Sequence, residues 1–235
     1  MKKFVKFTAG VTVLALMFCL CACTDNKQTP APVSVTVNEA ATEASVQEGI
    51  AFSDSATGLI CRLSVDVIGQ DLETAKKYLG DFFGVELVDD TGFLLTEERG
   101  DITTHLHVYT VMLVKDDVRF NGVQIWTDEK DGHVRCIEYT LSNSSYTTVD
   151  IGDSPEVREE IKKLNAALFD ELESSVNGHY NSDIWAYDED SKYYDYNVDD
   201  MCLIRCGIRD FTEPGGNDLL SAELAFSDCK EYLPH

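Results

Sequence analysis

"SPEVREEIKKLNAALFDEL", residues 154–172, decides the fold of this chain. Its apolar residues Val157, Ile161, Leu164, Leu168 and Leu172 recur every three or four positions, which lines one face of a helix. Ser154 stands at the cap position and Pro155 at the first helical one, where its missing N–H costs nothing. A helix with one apolar stripe has to cover something. Four strand-like segments follow it: "DIWAYD" (183–188), "KYYDYNV" (192–198), "CLIRCGIRDF" (202–211) and "LLSAELAFSD" (219–228). "TEPGGND" (212–218) turns the last pair.

The same order stands upstream. After a short apolar stretch, "GLICRLSVDVIG" (58–69), Asp71 caps a second periodic segment in which Leu72, Ala75, Leu79, Phe82 and Phe83 share a face, and Gly84 stops it. "VELVDD" (85–90), "THLHVYTVMLV" (104–114), "VRFNGVQIWT" (118–127) and "VRCIEYTLS" (134–142) then read as strands, with "DEKDGH" (128–133) as a hairpin turn. Near their ends the two halves align: "IEYTLSN" at 137–143 lies against "AELAFSD" at 222–228, matching Glu138 with Glu223 and Ser142 with Ser227. The expected fold is therefore α+β, a tandem repeat of one helix packed on a four-stranded antiparallel sheet, with units at 51–150 and 151–235. In element order and repeat length, residues 55–235 resemble the tandem helix-plus-four-strand units of the β-lactamase-inhibitor protein family and related small bacterial envelope lipoprotein domains. No inhibitory residue matches by position, so the resemblance implies a fold and no site.

The N-terminus reads as an address. Lys2, Lys3 and Lys6 precede an uncharged run from Phe7 to Ala22, the layout of a secretory signal. That run is shorter than the roughly 20 residues a spanning helix needs. Leu20, Cys21, Ala22 and Cys23, "LCAC", resemble the bacterial lipoprotein box. The resemblance implies that residues 1–22 are removed, taking Cys19 and Cys21 with them, and that Cys23 becomes a lipidated N-terminus. Two acyl chains would hold the protein on the bacterial cell membrane, facing the extracytoplasmic side. Residues 23–50 follow as a tether: the stretch 24–49 is rich in Thr, Ala, Pro, Glu and Ser and has no aromatic residue, so it cannot bury enough surface to offset its ordering entropy.

With 19 basic and 42 acidic residues the net charge is −23, which repels phosphate backbones and excludes nucleic acid as a partner. The domain shows no GxSxG, GxxxxGK or GxGxxG pattern, so no catalytic residue, no cofactor and no enzyme is expected. "DYNVDD" (195–200) begins like a calcium loop but has Asp200 where Gly is required and Cys206 where Glu is required. His105 and His107 share a strand face without any accompanying ligand pattern, and no metal is expected.

Two features carry open alternatives. In "IWAYDEDSKYYDYNVDD" (184–200) a turn over 189–192 would set Trp185 opposite Tyr196 and Tyr187 opposite Tyr194, either as structural cross-strand pairs or as an aromatic face that binds a partner. A register centred on Gly215 and Gly216 would set Cys202 opposite Cys229 as a disulfide, the alternative being small buried thiols. The expected function is a non-enzymatic module that binds an envelope protein or peptide. A solute- or ion-binding receptor is the alternative, and an envelope hydrolase the third.

Overall fold

The Ser55 hydroxyl accepts from the Gly58 N–H at 3.0 Å and opens helix α1, Ala56–Val67. The sequence suggested only a short apolar stretch here, because Val65, Val67 and Ile68 are poor helix formers. Burial decides otherwise: Ile60, Cys61, Ser64 and Val67 form a buried stripe, and packing of that stripe outweighs propensity. A computed structural model describes residues 50–88, 95–99, 102–176, 180–181, 192–199, 202–212 and 218–228 of the chain, all within the unit Val46–His235. Residues 1–49, including Cys23, lie outside them.

Helix α2, Leu72–Phe83, is bounded as its sequence predicts. Asp71 accepts from the Thr74 N–H at 3.0 Å, and Gly84 closes the helix in the left-handed region at φ 70. Helix α3, Pro155–Ser175, is capped by Ser154 and buries Ile161, Leu164, Leu168 and Leu172.

The strands are β1 (Leu95–Arg99), β2 (Ile102–Tyr109), β3 (Leu113–Lys115), β4 (Val118–Phe120), β5 (Gly122–Asp128), β6 (Val134–Ser142), β7 (Tyr180–Asn181), β8 (Lys192–Asp199), β9 (Cys202–Thr212) and β10 (Asp218–Ser227). Residues 85–88, expected in a strand, are not in one. The expected strands 104–114 and 118–127 each divide in two, and β3 and β4 form a separate hairpin turned at Asp116, φ 52. Asn121 makes the break possible. Its buried amide donates to the Ser142 and Val149 carbonyls and accepts from the Ser142 N–H, satisfying backbone groups where the ladder stops.

Among the described residues eight strands form one antiparallel sheet in the order β1-β2-β5-β6-β10-β9-β8-β7. The four that precede α3 and the four that follow it therefore meet at the β6–β10 seam, making one continuous sheet. There Tyr139 lies opposite Leu224, with Glu138 opposite Ala225 and Thr140 opposite Glu223. Asn143 locks the seam's end, accepting from the Leu220 N–H at 2.7 Å.

The three helices of the described residues share one face. Ile60, Leu79 and Leu168 join Ile125, Tyr139, Ile204 and Leu224 in a single core, and the Ser64 hydroxyl donates to the Tyr139 hydroxyl at 3.0 Å. Alternate strand residues point the other way, where Leu106, Val108, Trp126 and Cys136 form one cluster and Leu203 with Ala225 another. No described helix residue joins either cluster. No helix among the described residues is long and apolar enough to cross a membrane.

Candidate functional site

The helix-free face carries charge where a strand interior is normally apolar. Register places its residues in rows across the sheet. One row runs Gln124 (β5), Glu138 (β6), Ala225 (β10), Arg205 (β9), Asp195 (β8), and the next runs Thr140, Glu223, Gly207, Tyr193. Gly207 matters by what it lacks. Tyr193 and Glu223 sit two strands apart, about 9.5 Å, and with no side chain on the strand between them the Tyr193 hydroxyl reaches the Glu223 carboxylate at 2.8 Å. The Arg209 Nε donates to the same Tyr193 hydroxyl at 2.9 Å, its Nη2 lies 3.4 Å from Glu223, and the Ser221 hydroxyl donates to Glu223 at 2.7 Å. Beside them Arg205 grips Asp195 with two parallel bonds of 2.7 and 2.9 Å.

Burial and charge set the protonation states. Burial, then the neighbouring Glu223 carboxylate, pushes the Glu138 carboxyl up to about 8, against the opposing pull of Arg209, Thr140 and Arg205. Burial and the same carboxylate push the Tyr193 phenol upward, so it remains a hydrogen-bond donor. Chemically the cluster offers a neutral acid, a carboxylate, a phenol and two guanidinium groups in one patch.

Among the described residues two polar groups on this face are buried without any hydrogen-bond partner, the indole N–H of Trp126 and the hydroxyl of Thr104, in residues 4% and 1% exposed. Trp126 pairs with Leu106 and Cys136, and Thr104 lies one step further along the same strand face.

Trp185, Tyr187 and Cys229 lie outside the described residues. Tyr196, expected opposite Trp185, lies opposite Tyr180. The reason is that β7 enters earlier, five residues before Trp185. Tyr194 and Tyr196 do share a face, and it is the helix side: the Tyr194 ring meets Phe169 of α3 at 4.8 Å, while Tyr196 is 1% exposed and its hydroxyl donates to Glu173 at 3.1 Å. The β9–β10 register pairs Leu203 with Ser227, one residue away from the register centred on Gly215 and Gly216 that would set Cys202 opposite Cys229. Cys61, Cys136, Cys202 and Cys206 are buried, and burial pushes the Cys61 thiol up and that of Cys206 up to about 12.

His105 and His107 lie half-buried on one strand face, paired with Thr127 and Ile125, and the His107 Nε2 lies 3.1 Å from the Thr127 hydroxyl. Among the described residues no group of three or more His, Cys, Asp or Glu is placed to hold a metal. Sequence reasoning missed the Glu138–Glu223–Tyr193–Arg209 cluster. Its one local signal was polar alternation, Glu138-Thr140-Ser142 and Ser221-Glu223, inside otherwise apolar strands.

No protein-family model, no curated protein and no solved structure matches this chain.

Proposed function

We propose that this protein is a lipid-anchored, extracytoplasmic binding module that takes a basic protein or peptide on the helix-free face of its sheet. The observation that carries the reading is the pair of unpartnered polar groups, Trp126 N–H and Thr104 hydroxyl, on the face that no described helix covers. Each buried unsatisfied group costs about 1–3 kcal/mol, and since both atoms are shielded, a partner reaches them when this face opens locally, a peptide backbone then supplying the acceptor the indole N–H lacks. The net charge of −23 favours a partner of opposite sign by steering its approach. On this reading the tandem repeat is the source of the sheet order, in which each half contributes four strands and its last strand to the seam. Cys23 is the anchor, joined to the domain through residues 24–49.

The test is affinity capture from the membrane fraction of the source organism with three baits. These are the unaltered chain, a Thr104→Val, Trp126→Phe variant of confirmed folding, and a control, Tyr146→Ala, at an exposed site. A basic protein retained by the first and third baits and lost by the second supports the reading; identical eluates sink it. The anchor is tested separately by Cys23→Ser, which abolishes incorporation of labelled fatty acid and releases the protein from membranes.

A further inference from the structure

Around the β6–β10 seam the described charges on the helix-free face do not balance. Three carboxyl groups, Asp195, Glu223 and Glu138, stand there with two guanidinium groups. Arg205 is held by Asp195 through two bonds, and Arg209 serves Glu223 together with the Tyr193 phenol. Glu138 receives a single hydrogen bond, from the Thr140 hydroxyl at 3.2 Å, and among the described residues it has no ion pair. It is 6% exposed. Its cross-strand neighbours are Gln124 on β5 and Ala225 on β10, neither of which carries a charge. The charged and titratable groups facing it are Glu223 on β10, Arg205 and Arg209 on β9, and Tyr193 and Asp195 on β8.

A buried carboxylate without a cation is too costly to persist, and the group keeps its proton instead. Glu138 is the member of the pair that keeps its proton, since three donors converge on Glu223 and only one, a neutral hydroxyl, reaches Glu138. We infer that Glu138 is carried as a neutral carboxylic acid and that its proton is a switch on the β6–β10 seam: with the proton on, the buried charges balance, and with it off, two carboxylates repel across the junction of the two halves of the sheet. Glu138 and Glu223 flank the Tyr139–Leu224 pair on opposite strands, so the repulsion falls where the strands before α3 meet those after it. The device operates whether or not the face carries a partner.

The experiment is a pH titration of the full chain labelled with ¹³C at the glutamate carboxyls, followed by NMR. One glutamate is expected to titrate near pH 8, far above the others, as the burial and the Glu223 charge require. That signal disappears in Glu138→Gln, and in Glu223→Gln it moves down, because the neighbouring charge is gone. In parallel, amide exchange across β6 and β10 of the unaltered chain accelerates above pH 8 beyond its intrinsic pH dependence, and Glu138→Gln lacks that acceleration. Every glutamate titrating in the ordinary range, or an anomalous signal that persists in Glu138→Gln, overturns the inference. Should Glu138→Gln fail to fold, an anomalous signal unmoved by Glu223→Gln overturns the coupling across the seam.

Discussion

The Tyr193 hydroxyl on β8 donates to the Glu223 carboxylate on β10 at 2.8 Å, crossing the intervening strand β9 over Gly207. That one bond ties three strands together and brings Arg209 to the same oxygen. It also explains why a phenol is needed at 193: the hydroxyl serves as acceptor for one neighbour and donor to another.

Tyr193→Phe keeps the ring and removes both bonds. Glu223 loses a donor and Arg209 an acceptor in a buried setting, so the domain should lose about 1–3 kcal/mol. A lower urea midpoint with an unchanged m-value is the expected result; an unchanged midpoint would show that solvent replaces the hydroxyl.

The Glu138 carboxyl gives stability a pH slope whose sign is fixed. Its value in the folded chain, about 8, lies above the ordinary 4.5, so the folded state holds a proton that the unfolded state releases. This contribution is complete below about pH 4.5, declines as pH rises towards 8 and is gone above it. Urea midpoints should therefore fall between about pH 5 and pH 8.5, and Glu138→Gln, which keeps the shape of the neutral acid, should flatten that decline.

The Arg205–Asp195 pair is buried on both sides and doubly bonded. Asp195→Ala removes the carboxylate that takes two of the buried Arg205 donors and should cost about 3–5 kcal/mol, whereas the double change Asp195→Leu, Arg205→Met removes both charges and should recover most of that loss. A double-mutant cycle on thermal denaturation reads the difference.

Gly58→Ala should destabilise despite standing in helix α1, where alanine ordinarily gains about 1 kcal/mol over glycine. A Cβ at this position would stand 2.2 Å from the Ser53 carbonyl oxygen, and Ser53 cannot retreat freely. Its N–H and hydroxyl both donate to Glu171 of α3, at 2.7 and 2.5 Å, in a clamp that Ser55 and Ser175 also join. Loss of amide-exchange protection at residues 53–58 in Gly58→Ala is the expected signature; protection equal to that of the unaltered chain would refute the clash.

Helices α2 and α3 were legible because everything that makes them is local: Asp71 and Ser154 as caps, Gly84 as a left-handed stop, and an apolar stripe at helical spacing. Helix α1 was not, since Val65, Val67 and Ile68 suit a strand as well as a helix and only packing against the sheet chooses between them. Strand registers were out of reach for a related reason. Moving β10 by one residue against β9 changes no local preference, yet it turns every side chain to the other face and sets Leu203 opposite Ser227.

By itself the sequence determined the α+β class, the capped ends of two helices, the excess of acidic over basic residues, and the Cys23 pattern that resembles a lipoprotein box. Only the tertiary structure decided that the eight described strands of the large sheet pair, with the described helices on one side, and that Glu138, Glu223, Tyr193 and Arg209 meet on the other. These four residues span 138 to 223 in the chain, and none reaches another through local geometry. Strand pairing brings them together, and pairing is chosen by the burial of the opposite face, where Tyr139, Leu224 and Ile204 leave water beneath the helices.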